Sequence, residues 1–222
     1  MPRTARLIPP EGCLHVICRG NNQQTIFQSD QDFRFYYDLL LQLKEENSIE
    51  IYHYCLMNNH VHLIISLHKN STLARYMKQV NLSYFHYFKR QNKYSGHLWQ
   101  GRFKNSIIEN DSYLLQCGKY IELNPVRAAI VKRPEDYPYS SYKYYAYGKE
   151  DKLLMKNILY NSLGKSMEQK QEEYRRFVMG SDIKQRLGTE RFVGTPAFVK
   201  HMEKYFSVKN TNLKKGRPAK KK

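Results

Sequence analysis

The chain lacks paired cysteine motifs: Cys13, Cys18, Cys55 and Cys117 include no CxxC, which argues against a structural zinc site and suits reduced thiols in a cytoplasm. It also lacks the roughly 18 to 20 consecutive apolar residues of a membrane-spanning helix, and the opening MPRTARLIPPEG has no signal-peptide apolar block. The expectation is a soluble, cytoplasmic protein with no membrane partner. Acidic residues are scarce, 20 Asp+Glu against 37 Lys+Arg, for a formal charge of +17. Such a surplus suits a polyanion, nucleic acid above all, and disfavours an acidic small substrate, with a membrane surface as the weaker alternative. What is present is 222 residues, enough for one principal core with an appendage.

Hydrophobic periodicity orders the elements. CLHVICRG alternates and stops at Gly20, predicting a strand near residues 13 to 19. In SDQDFRFYYDLLLQLKEEN, Ser29 or Asp30 can cap a helix whose apolar residues include Phe33, Tyr36, Tyr37, Leu40 and Leu43. IEIYHYCLM and HVHLII read as a hairpin turning at Asn58-Asn59. A second long helix spans Ser71 to Arg90, with Leu73, Tyr76, Met77, Val80, Tyr84 and Tyr87 on its apolar face. HLWQGRFKNSIIE looks extended, and a third helix, capped by Asn110 or Asp111, is expected to end at Pro125. The order β-α-β-β-α-β fits an α+β, ferredoxin-like antiparallel sheet with two helices on one face, the third helix being extra.

Two residues inside the hairpin are out of keeping with a buried strand. Alternation puts His60 and His62 on one face with Ile64, while Val61, Leu63 and Ile65 take the other. A single histidine there is most simply a core or edge residue, but two adjacent imidazoles can share a divalent cation. In GKYIELNP, Tyr120 and Asn124 lie four residues apart on one side of a helix. Asn124 can offer an amide oxygen to a cation held by the histidines, and Tyr120 would stand near whatever that cation binds. Read separately, Tyr120 is an ordinary amphipathic residue and Asn124 a helix stop before proline.

RGNN, MNNHVHLII, WQGRFKNSII and YIELNPVRA together resemble the HUH single-tyrosine transposases of bacterial insertion sequences, in particular the REP-associated tyrosine transposases, over roughly residues 8 to 147. The resemblance implies that His60 and His62 are metal ligands for Mg²⁺ or Mn²⁺, that Tyr120 is the nucleophile and that Asn124 completes the metal site, where some relatives carry Gln. It also implies single-stranded or hairpin DNA as substrate, a 5′-phosphotyrosine intermediate, a nucleoid-associated location, and homodimers in which tyrosines can be donated across subunits. Two rivals remain at this point. One is a non-catalytic nucleic-acid-binding protein on the same scaffold; the other is a replication-type nuclease using both Tyr113 and Tyr120. A hydrolase without covalent catalysis is less well supported, because no Asp/Glu cluster accompanies the histidines.

Arg75, Lys78, Lys89, Arg90, Lys93, Arg102 and Lys104 are interleaved with Tyr84, Tyr87, Phe88, Tyr94, Trp99 and Phe103. Many of those rings are accounted for as core, and Arg102 and Lys104 are the preferred DNA contacts. The aromatic stretch 137–148 is expected to pack as a closing segment. The expected organisation is a catalytic domain over 1–148, a helical region over 149–208 and a basic, mobile tail over 209–222. In that tail Arg217, within Gly-Arg-Pro flanked by lysines, resembles an AT-hook core and is a further DNA-contact candidate.

Overall fold

The computed structural model describes residues 5–109, 112–156, 158–180 and 190–210. Strand β1 (Gly12–Arg19) lies at the centre of the sheet, antiparallel to both β3 (His60–Leu67) and β4 (Lys104–Ile108). Strand β2 (Ile49–Met57) forms the expected hairpin with β3 across Asn58-Asn59. A short β5 (Phe192–Val193), which periodicity could not separate from its surroundings, pairs parallel to β4. The resulting order is β2-β3-β1-β4-β5, whose first four strands follow the ferredoxin-like pattern.

Helix α1 (Asp30–Lys44) starts at a capping box: Asp32 N–H donates to the Ser29 hydroxyl, and the Asp32 carboxylate accepts from the Ser29 N–H. Together with α2 (Leu73–Asn92) it covers one face of the sheet, burying Leu14, Val16, Val61, Leu63 and Ile65. Three tyrosines in this core keep their hydroxyls bonded: Tyr36 to Asn81 Oδ1, Tyr76 to the Leu40 carbonyl and Tyr84 to the Ile26 carbonyl. That removes the desolvation penalty of a buried phenol. The rings of Tyr84, Tyr87, Phe88 and Phe103 are buried here, so they serve packing.

On the opposite face lies α3 (Ser112–Glu122), over β2 and β3. A bulge at Tyr52 shifts the β2 register, sending Ile49 and Ile51 into the α1/α2 core while His53, Cys55 and Met57 face α3. The proposed caps Asn110 and Asp111 lie outside the described residues. Helix α3 stops at Glu122, short of Pro125 as expected, so Asn124 lies outside the helix that carries Tyr120. After a turn at Leu123 the chain enters α4 (Asn124–Arg127), whose first turn tolerates a proline that has no N–H to give.

Next come α5 (Tyr142–Tyr147), α6 (Ile158–Asn161) and α7 (Met167–Met179). Tyr142, Tyr145, Tyr160 and Tyr174 form a third cluster with Leu115 of α3, so the aromatic stretch does pack as a closing segment. Helix α8 (Pro196–Phe206), capped by Thr195, follows β5. No helix among the described residues is long and apolar enough to cross a membrane. All four cysteines are buried and outside any disulfide: Cys18 lies on the α1/α2 side, and Cys13, Cys55 and Cys117 lie on the α3 side.

Candidate active site

The sheet register maps one end of the α3-covered face. His60 lies between Met57 of β2 and Arg19 of β1; His62 lies between Cys55 and Ile17, with Lys104 of β4 next along that row. Residues directly opposite one another on neighbouring strands share a face. Both imidazoles, Arg19 and Lys104 therefore point the same way, with Lys104 two strands, or roughly 10 Å, from His62. The rings of His60 and His62 meet edge to face at 4.8 Å and 83°.

Hydrogen bonds decide what His60 can offer. Asn59 donates from Nδ2 to the Gln23 carbonyl at 3.3 Å, which turns its Oδ1 towards His60 Nδ1 at 2.5 Å. An amide oxygen only accepts, so Nδ1 carries the proton and Nε2 keeps a lone pair, the form a metal ligand needs. His62 Nδ1 instead faces another imidazole, that of His15 on β1, whose Nε2 is 2.7 Å away. All three rings are held neutral. Burial, then the charges of its neighbours, pushes His62 well down; burial with His60 beside it puts His15 at about 4; burial with Arg19 beside it puts His60 at about 4.

At about 100° per residue, α3 presents Leu114, Cys117 and Ile121 to the sheet, Gly118 and Glu122 on one flank, and Tyr113 and Tyr120 on the other. Tyr120 is half-buried against the cluster that holds Met57, Ile64 and Ile121. Its ring lies under the Arg127 guanidinium, 4.7 Å from the centroid, and Arg127 also donates to the Tyr120 carbonyl at 2.9 Å. Asn124 donates from Nδ2 to the Ile121 carbonyl at 3.2 Å. That is the acceptor Pro125 cannot serve, and the bond leaves the Asn124 Oδ1 outside the helix repair. Two imidazoles with an amide oxygen form a mixed N,O set of the kind Mg²⁺ and Mn²⁺ accept. No group of three His, Cys, Asp or Glu suited to a metal occurs among the described residues.

The Glu122 flank is fixed by a buried polar network. Glu122 is fully buried and accepts from His53 Nδ1 at 2.9 Å, Ser141 Oγ at 2.5 Å and Tyr174 OH at 2.8 Å. Lys119, also buried, donates to the Phe177 and Gly180 carbonyls at 2.8 and 3.1 Å, where the end of α7 leaves carbonyls unpaired. The tyrosine-bearing helix is thus tied to β2, to the turn before α5 and to α7. Sequence reading did not find His53, Glu122 or Lys119, because no spacing links partners 69 or 58 residues apart. It also passed over His15 and Arg19, although both lie in the first strand on the face that alternation would have assigned to them.

The preferred DNA contacts separate. Lys104 shares the histidine face, whereas Arg102 lines an open groove of about 700 Å³ along α2 and the 96–103 loop, with Arg6, Lys78, Phe85 and Trp99. That groove includes none of His60, His62 and Tyr120. Arg217 lies outside the described residues.

Residues 11–124, which run from β1 to the Asn124 position, match the family model described as IS200-like transposase. The chain belongs to that transposase family. A Haemophilus influenzae protein named as a REP-associated tyrosine transposase is 30% identical over 99 residues, covering 40% of this transposase and 56% of the relative. The match therefore spans little more than half of that relative's length. A solved REP-associated tyrosine transposase bound to a REP hairpin superposes with a TM-score of 0.57 at 19% identity, over 71% of this transposase and 93% of that chain. At that identity the superposition establishes a shared fold.

Proposed function

We propose that this transposase cleaves and rejoins single-stranded DNA, presented as a hairpin, through a covalent bond to Tyr120. The observation that carries the reading is the pairing of two elements. One face of the sheet displays His60 and His62 beside Arg19 and Lys104, and the helix covering that face holds a tyrosine whose ring Arg127 pins in place. The hairpin substrate is inferred from the solved relative, which is bound to one.

In the proposed step the Tyr120 oxygen attacks a backbone phosphorus, the P–O3′ bond breaks, and the 3′ oxygen leaves and takes up a proton. The product is a 5′-phosphotyrosine, and attack by a 3′-hydroxyl on the same phosphorus reverses it. Supplying phenolate from an ordinary phenol at pH 7 costs about 4 kcal/mol, so neighbouring positive charge and alignment have to offset it. His60, His62 and Asn124 would hold Mg²⁺ or Mn²⁺, which when bound neutralises charge on the phosphate oxygens and polarises the phosphorus. Arg19 and Lys104, on the same face, hold the flanking phosphates and fix the strand relative to Tyr120.

The test uses labelled single-stranded DNA from the flanks of the coding region, incubated with protein and Mg²⁺ or Mn²⁺. A covalent adduct that disappears in Tyr120→Phe while DNA binding persists is expected. An adduct that survives in Tyr120→Phe and vanishes in Tyr113→Phe would move the nucleophile to Tyr113. No adduct from the wild-type protein would favour the non-catalytic binding module.

A further inference from the structure

The two imidazoles of the pair have different means of presenting a lone pair. His60 is set by Asn59, whose amide is itself oriented by the Gln23 carbonyl. Among the described residues His62 has no such carbonyl. Its Nδ1 faces His15 Nε2 at 2.7 Å, the rings are within 11° of parallel, and their centroids are 5.0 Å apart. That separation is close to the nitrogen gap plus the two ring radii, so the rings meet edge to edge in a common plane, with the hydrogen bond along the line between them.

We propose that His15 is a positioning residue that accepts the Nδ1 proton of His62 and so keeps the His62 Nε2 lone pair available to a divalent cation. This rests on the reading of His60 and His62 as metal ligands. One proton lies between two neutral rings, and it has two possible homes. On His62 Nδ1 it is donated to His15 Nε2, and His62 Nε2 is a ligand. On His15 Nε2 it is donated the other way, and His62 must carry its own proton on Nε2, where it blocks coordination.

The surroundings of His15 allow the first arrangement. His15 is buried, and its other nitrogen, Nδ1, has no hydrogen-bond partner among the described residues. No described residue there commits His15 to either tautomer, so its protonated nitrogen can follow the demand made at His62. Passing from the blocking to the ligating arrangement leaves the proton count unchanged: His15 Nε2 gives its proton to His62 Nδ1, His62 Nε2 releases one, and His15 Nδ1 takes one up. His15 has spent its Nε2 on His62 and belongs to no three-residue metal-binding group among the described residues. Its part is to orient a ligand, in the way that hydrogen-bond partners behind metal-bound histidines do.

The experiment is Mn²⁺ binding to the full DNA-free chain, followed by the electron paramagnetic resonance of free Mn²⁺, for wild type, His15→Leu and His15→Gln. Leu removes the acceptor; Gln can return an amide oxygen to the Nε2 position. Affinity is expected to fall about 10- to 100-fold in His15→Leu and to recover to within a few-fold of wild type in His15→Gln. Imidazole ¹⁵N spectra of the Mg²⁺-loaded wild-type protein are expected to show the His62 proton on Nδ1, and this measurement stands even where a variant fails to fold. Equal Mn²⁺ affinity in all three proteins, a loss that Gln does not restore, or a His62 proton on Nε2 in the loaded protein would overturn the role of His15. Absence of Mn²⁺ binding by the wild type would overturn the metal reading itself, and the inference with it. Absence of DNA cleavage alongside normal Mn²⁺ binding would count against Tyr120 and leave His15 standing.

Discussion

Replacing Gly118 by alanine puts a single methyl group where α3 meets β2. The added Cβ would lie 2.6, 2.7 and 2.8 Å from Cε1, Nε2 and Nδ1 of His53. The ring cannot swing aside: its Nδ1 is held by Glu122 at 2.9 Å, and its face stacks on Tyr145 at 4.4 Å. Ordinary contact begins near 3.4 Å, so α3 and β2 must part by about 0.8 Å. Overpacking of this kind costs about 1 to 3 kcal/mol, and alanine returns about 1 kcal/mol through helix propensity. The variant should therefore fold, with a net loss of about 0 to 2 kcal/mol in urea denaturation. Activity should suffer more, because a displacement near 1 Å at a reacting group can cost on the order of 100-fold in rate. The assay is the rate of covalent adduct formation on labelled single-stranded DNA at saturating protein. Gly118→Ala forming adduct at the wild-type rate would refute the claim that the His53 contact sets the position of Tyr120.

Other perturbations test separate parts of the structure. Tyr174→Phe removes one of the three described donors to buried Glu122 and should cost about 1.5 to 3 kcal/mol, read from chemical denaturation; a loss below about 0.5 kcal/mol, the level of surface changes, would mean the network is not holding α3 to α7. Ser29→Ala breaks the α1 capping box and should cost about 1 kcal/mol, with adduct formation unchanged. In the folded chain His15 and His60 titrate near 4, against 6.5 ordinarily, so folding favours their neutral forms. That contribution is complete above 6.5 and is lost as pH falls towards 4, because the unfolded chain takes up protons that the folded chain does not, at on the order of 1.4 kcal/mol per unit for each group. Melting temperatures that stay flat across this window would refute the burial of neutral imidazoles.

The local features were legible because short-range chemistry fixes them. Strand alternation put His60 and His62 on one face, and the structure keeps them there; Ser29 caps α1, Asn58-Asn59 turns the hairpin, and the apolar positions of α2 are the buried ones. The rest depended on distant partners. A glutamate at position 122 reads as a helix-surface charge until the fold brings His53, Ser141 and Tyr174 around it. His15 reads as a lone histidine until β1 lies beside β3. The two residues of β5 carry too little pattern to announce a strand, and their pairing is supplied by β4. Pro125 reads as a terminator and α3 does stop short of it, but the short α4 that accepts it in its first turn leaves no mark in the pattern.

The four thiols provide an intrinsic reporter. Cys13, Cys18, Cys55 and Cys117 are at most 4% exposed, and burial raises the pKa of each, to about 11 for Cys13 and about 12 for Cys18. Folded protein should resist alkylation, so pulse labelling read by mass spectrometry would record each opening event without any engineered probe. Because Cys18 sits in the opposite layer from the other three, the pattern of tagged sites would separate a lifting of the tyrosine helix from unfolding of the whole chain.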